Sequence, residues 1–309
     1  MSNTAAALDQ PSPALRGPFR LAIVMLSVTT ATILWGALTT STGSGMAYAD
    51  WPLSDGQFMP ESSYTQIPHF LEHFHRLLAS SAGLVALSLW LWLAFGGRAD
   101  RRATRTAFLG GCLVLTQGVI GGTGVLKNLP AVTSVTHGTL AQLILAVFGW
   151  LTYQLSIRYR KTEVASDVAP GTGRKLLIFA LAVVVLQTII GAVARHTNNS
   201  HALWTHVGNA FIVFIVMTIA TAFALGKLGN TRGIKGLAKT IVGLLILQIV
   251  LGFVALAIRN DAGKSAENVE RLGAAITISF HVLMGAVLTV LIAVLAAHVF
   301  RATRRLGTA

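Results

Sequence analysis

Ile241-Val242-Gly243-Leu244-Leu245-Ile246-Leu247-Gln248-Ile249-Val250-Leu251-Gly252-Phe253-Val254-Ala255-Leu256-Ala257-Ile258 contains no acid or base. Crossing a bilayer as a helix takes about 20 mostly apolar residues, and the stretch 236–258 meets that requirement. Seven further stretches do the same: 20–41, 69–96, 105–126, 132–157, 174–194, 203–225 and 273–300. The rest of the chain agrees, since its 309 residues are 53% hydrophobic and 11% charged, with a mean hydropathy of +0.66. That is too apolar for an ordinary soluble domain. The expected fold is an all-α integral membrane protein with eight transmembrane helices, spans 1 to 8.

The net charge of +13 invites a nucleic-acid reading, but its placement gives topology instead. With the N-terminus inside, 18 of the 24 Lys and Arg residues fall on inner segments, leaving Arg76, Lys127, Arg195, Arg259, Lys264 and Arg271 outside or at the outer rim. The positive-inside rule then places both termini in the cytoplasm, as an even number of spans requires. Asp9, Pro11 and the lack of a separate apolar core argue against a cleaved signal, and Asp9 with few arginines argues against a transit peptide. A bacterial plasma membrane is the expected location. The single cysteine, Cys112, excludes an intramolecular disulfide.

Short echoes divide the chain. Gln117-Gly118-Val119-Ile120-Gly121 in span 3 resembles Gln187-Thr188-Ile189-Ile190-Gly191 in span 5 and Gln248-Ile249-Val250-Leu251-Gly252 in span 7, and span 1 has Gly36 at comparable depth. The glycines suit close helix packing, and each glutamine is either part of that packing or a ligand contact. The expectation is two pseudo-repeated four-helix bundles: an N-terminal half (1–158), a cytoplasmic linker (159–173) and a C-terminal half (174–309). Four spans per half make the repeat parallel. The longest outer segment, 42–68, holds Asp50, Trp51, Pro52, Asp55 and Glu61 without lysine or arginine, and its length marks it as functional.

Each even span carries one histidine near its outer end: His75, His137, His206 and His281. Spans 2 and 4 of an up-down bundle are diagonal, as are 6 and 8, so two inward imidazoles can hold an iron between them. A lone membrane histidine is more often a hydrogen-bonded structural residue, but four at matching depth point to bis-histidine haem ligation. Zinc fits poorly, because no companion ligand stands at short spacing. His69, His73, His196, His201 and His298 are expected at helix ends or in loops, interfacial or solvated. The halves differ at Glu72, three residues before His75 and four before Arg76. Leu203 holds the matching place before His206. Glu72 either pairs with Arg76 or orients a ligand, or it gives the first half a reactive ionisable group.

Glu72-His73-Phe74-His75-Arg76, preceded by Gly43-Ser44-Gly45-Met46 and Asp50-Trp51-Pro52 and followed by His137, His206 and His281, resembles the haem A synthases, the COX15/CtaA family of cytochrome oxidase assembly proteins. The resemblance extends over nearly the whole chain. It implies a membrane oxidoreductase of haem A biosynthesis that takes the ring-position-8 methyl of haem O through a hydroxylated stage to a formyl group. It further implies haem b on His206 and His281, and a substrate site flanked by His75 and His137 with Glu72 beside them. Haem O synthase and cytochrome oxidase assembly factors are the partners it implies; membrane lipid and a second copy of the chain are further candidates, and nucleic acid is not. Some bacterial members carry a cysteine pair in the first outer loop; residues 42–68 have none.

Two other readings remain at this stage. One is a quinone-linked dihaem b-type electron carrier, although such carriers commonly place their haems towards opposite faces, whereas here all four histidines lie at one level. The other is a non-catalytic haem-binding assembly factor. The lack of a G-x-x-x-x-G-K-[ST] loop argues against nucleotide-driven transport.

Overall fold

A computed structural model describes residues 13–96, 100–162, 170–197, 199–231, 233–261 and 268–303. Asp9, Pro11, Arg98, Arg232, Lys264, Arg304, Arg305 and the linker residues 163–169 lie outside the described residues, as do the side chains of Arg259 and Arg271. Among the described residues eight helices are long and apolar enough to cross a membrane: α1 (Pro13–Ser41), α2 (Ile67–Phe95), α3 (Arg101–Leu126), α4 (Ala131–Leu155), α5 (Pro170–Thr197), α6 (Ser200–Leu228), α7 (Ile234–Asp261) and α8 (Asn268–Ala302). Among the described residues the only extended pairing is an isolated bridge between Ser54 and Gln57.

Local sequence sets the helix ends. Asp100 accepts the Arg102 N–H and Asn199 the Ala202 N–H, each capping amide groups that a helix start leaves unpaired. The tight turn from α3 to α4 places Asn128 and Leu129 at φ of 58° and 51°, and Pro130 then stops continuation of α3.

In each half the four consecutive helices pack in a ring, α1-α2-α3-α4 and α5-α6-α7-α8, so α2 and α4 are diagonal, as are α6 and α8. The rings meet through α4 on α8, α1 on α8 and α4 on α5. The close-packed apolar cores lie at the end of each half away from the histidines. In the first half Ala22, Met25, Leu89, Ala107, Phe148 and Leu151 are fully or almost fully buried, and in the second Leu177, Met217, Ile241, Ile292 and Leu295. Phe148 takes the space that a side chain at Gly110 would need. Interiors packed this densely hold a helix bundle rigid, which fixes the opposite ends where the imidazoles converge. Ile33, Leu145 and Ala286 form a smaller cluster between the two halves.

Two histidines depart from the expected solvated role. His73 is buried because residues 53–59 fold over it: its Nδ1 lies 3.1 Å from Ser54 Oγ and its Nε2 3.2 Å from Met59 Sδ. His298 is buried near the core end of α8, stacked on Tyr153 of α4 at 5.3 Å. Both owe their burial to chain segments distant in sequence, which local composition does not announce.

Candidate functional site

The ring packing brings the expected histidines together in pairs. His75 on α2 and His137 on α4 have ring centroids 6.4 Å apart at an interplanar angle of 75°. On α6 and α8 the corresponding values for His206 and His281 are 6.2 Å and 83°. The two pairs are not brought together as a single cluster, and among the described residues no group of three or more His, Cys, Asp or Glu is placed to hold a metal ion.

Each imidazole lies against a glycine of the preceding helix. A Cβ on Gly36, Gly121, Gly191 or Gly252 would stand 2.6, 2.8, 2.7 or 3.1 Å from Cε1 of His75, His137, His206 or His281 respectively. Any side chain at the first three would displace the ring. One turn before each glycine, the backbone carbonyls of Thr32, Gln117, Gln187 and Gln248 face the same four rings, although in this structure no Nδ1 of the four completes a hydrogen bond. The glutamines add a second constraint. Gln117, Gln187 and Gln248 donate through Nε2 to the backbone carbonyls of His137, His206 and His281 at 2.9, 2.9 and 3.1 Å. The Gln-x-x-x-Gly pattern is thus a cradle: glycine makes room for the ring and glutamine fixes the histidine backbone. In α1, Thr32 stands where the others have glutamine. That position was missed from sequence, though its spacing to Gly36 is the same.

These residues fit a haem. An iron with an imidazole nitrogen at about 2 Å on either side puts the ring centroids roughly 6 Å apart, matching both pairs. Buried ring nitrogens without partners are rare unless a ligand or a backbone acceptor completes them, and metal-bound histidines characteristically direct their other nitrogen at a carbonyl.

The first pair lies beneath the segment 42–66, and several contacts fasten that segment down. Glu72, 3% exposed, accepts the Tyr48 N–H through Oε2 at 3.0 Å and pairs with Arg76 through Oε1. Arg76 also donates to the Leu53 carbonyl. Trp51 abuts Gly122 of α3, next to the glycine that faces His137. Asp50 accepts the N–H groups of Asp55 at 2.9 Å and Gly56 at 2.8 Å. Desolvation pushes the Asp50 carboxyl up, but these amides, its own amide and the Arg76 charge outweigh it and hold the group below the usual carboxylate range. Glu72 therefore ties the segment to α2, with Oε2 on the Tyr48 amide of the segment and Oε1 on Arg76 of its own helix, which in turn holds the Leu53 carbonyl. The second half has no such cover between α5 and α6, which are only two residues apart. There Asn209, three residues after His206, donates to Gln187 Oε1 at 2.8 Å.

Known proteins resemble the chain in the same terms. A relative from Symbiobacterium thermophilum, named Heme A synthase, is 33% identical over 177 residues, covering 55% of this chain and 56% of the relative. One of the same name from Geobacillus kaustophilus is 30% identical over 55% of this chain and 53% of the relative. A third, from Bacillus licheniformis, is 24% identical over 75% of this chain and 83% of the relative. In the first two matches the chain spans about half of the relative's length. The profile described as cytochrome oxidase assembly protein, COX15-CtaA, matches residues 19–212, a stretch that includes His75, His137, His206, three of the four cradling glycines and the covering segment. The chain belongs to the COX15-CtaA family of cytochrome oxidase assembly proteins.

Proposed function

We propose that the protein is a haem A synthase, an oxidoreductase acting on the C8 methyl group of haem O and carrying it to a formyl group for cytochrome oxidase assembly. The observation that carries the reading is the asymmetry of two otherwise matched pairs: among the described residues, only His75 and His137 lie beneath a fastened segment with a buried carboxylate in its anchor. His75 and His137 flank the substrate, and Glu72 accepts a proton as the methyl carbon is oxidised, or orients the water that supplies oxygen. His206 and His281 hold a haem b, which when bound supplies one-electron redox capacity beside the substrate half. Gln187, Gln248, Gly191 and Gly252 set the positions of those two rings.

The protein works in this reading as two parallel repeats, an N-terminal substrate half and a C-terminal cofactor half joined by the 159–173 linker. It sits in the bacterial plasma membrane with both termini cytoplasmic, receives substrate from a haem O synthase and delivers product to cytochrome oxidase assembly factors. The names of the relatives support the activity, and the balance of basic residues supports the orientation.

One observation favours a second reading. The near-equal geometry of the two pairs would also suit two permanently held haems in an electron carrier. Haem extraction from cells that express the protein and supply haem O, followed by chromatographic separation of haems B, O and A, decides between them. Haem A formed only with the protein supports the synthase; haem B alone, two per chain, supports the carrier.

A further inference from the structure

One cationic side chain crosses the seam between the halves. Arg195 of α5 donates through Nη2 to the Ala37 carbonyl at 2.7 Å and to Ser41 Oγ at 2.8 Å, both on α1. Ser41 Oγ lies 3.3 Å from Ser279 Oγ of α8, and Ser279 donates to the Ala275 carbonyl at 2.6 Å. A guanidinium only donates, and the Ser279 proton is committed to Ala275, so the Ser41 hydroxyl donates to Ser279. The chain of bonds runs one way, from Arg195 through α1 to α8, with every hydroxyl satisfied.

Its level in the structure matters as much as its partners. Arg195 stands four residues, one helical turn, beyond Gly191, the glycine against the His206 ring. Ser279 is two residues before His281, and Ala37 follows Gly36, the glycine against His75. Through Ser41 and Ser279 the guanidinium is linked to the stretch of α8 that carries His281. Among the described residues no carboxylate pairs with it, in contrast to Arg76 and Glu72. A charge kept partly buried without a counter-ion costs folding free energy, and the hydrogen-bonded clamp alone could be made by a neutral amide.

We propose that Arg195 is a positioning residue that fixes a positive charge beside the His206 and His281 pair and so raises the reduction potential of the haem held there. The inference rests on the reading that this pair binds haem. Reduction adds one electron and removes one unit of positive charge at the iron, so a nearby fixed cation favours the reduced form. The effect is enlarged where the surroundings are of low dielectric constant. The bonds to Ala37 and Ser41 keep the guanidinium at this level instead of letting it extend to the water interface.

The test is an optical redox titration of the purified full-length protein carrying its haem, comparing wild type with R195Q, R195K and S41A. The expected result is a lower midpoint in R195Q, a midpoint close to wild type in R195K and a smaller fall in S41A, all with the low-spin spectrum kept. Equal midpoints in wild type and R195Q with intact low-spin haem would overturn the inference and leave Arg195 a mechanical clamp. If R195Q does not retain haem, S41A decides: a lowered midpoint supports the proposal and an unchanged one overturns it. Wild-type protein without low-spin haem would instead overturn the parent reading, and this inference with it.

Discussion

Glu72 and Tyr48 are joined by a 3.0 Å hydrogen bond from the Tyr48 amide to the buried carboxylate, which ties the covering segment to the helix that carries His75. Removing the carboxylate therefore does two things at once, and three variants separate them. Glu72→Ala is expected to keep the second-half haem spectrum while forming haem A about a hundredfold more slowly or worse. Glu72→Gln retains an acceptor for Tyr48 but cannot take a proton, so it should be as slow as Glu72→Ala. Arg76→Ala leaves the carboxylate and frees the segment at Leu53, and should be the milder lesion. Wild-type haem A formation in Glu72→Ala would show that the group only anchors the segment.

The glycine cradles predict a graded response. Gly191→Ala places a methyl 2.7 Å from His206 Cε1, whereas Gly252→Ala places it 3.1 Å from His281 Cε1. Overpacking of this kind costs about 1–3 kcal/mol. Gly191→Ala should lose most of the low-spin haem absorbance and Gly252→Ala distinctly less, with His206→Ala and His281→Ala losing nearly all. An unaltered spectrum in Gly191→Ala would mean that the ring does not lie against α5 in the loaded protein.

The covering segment can be mapped by cysteine labelling with a membrane-impermeant reagent on intact cells. Tyr64 is 69% exposed and should react rapidly as Tyr64→Cys, while Ser63, 3% exposed and bonded to the Pro60 carbonyl, should react slowly as Ser63→Cys. Labelling of Tyr64→Cys only after cell breakage would invert the proposed orientation.

Asp50 gives the segment a pH dependence. Its carboxyl is held below the usual range in the folded protein, so it stabilises the 50–57 turn above the ordinary aspartate value, near 4. That contribution fades as pH falls through the lowered value. Proteolytic nicking within 50–57 should be faster in Asp50→Ala than in wild type at neutral pH, and the two should converge once the pH falls through the lowered Asp50 value. A difference that persists unchanged into acid would point to packing of the side chain instead of its charge.

The spans and the four histidines were legible because each is a local signal: a long apolar run, and a single imidazole within it. The Gln-x-x-x-Gly echo was visible as well, but its meaning was not, since only the packed helices show glycine against the ring and glutamine on the histidine backbone. Thr32 was hidden by the change of residue type. His73, His298 and Arg195 do lie towards helix ends, as their positions in the sequence indicate, but the partners that enclose or bind them there, Met59, Tyr153 and Ser41, come from other segments of the chain. Glu72 was conspicuous as an acid inside a span, yet its bond to the Tyr48 amide depends on how 42–66 folds, which no periodicity encodes.

Helix α8 is the most enclosed of the eight and touches α1, α4, α5 and α7. It is also the last of them to be synthesised. Until it emerges, the faces of α1 and α4 that it will cover remain against lipid, and His206 waits without its mate. Among these eight helices α8 is therefore the one whose arrival completes the seam between the two rings: without it α1 lacks its main packing partner from the second half and His206 lacks its opposite imidazole. Under the proposed reading, a haem held by both imidazoles of this pair can load only once α8 is in place.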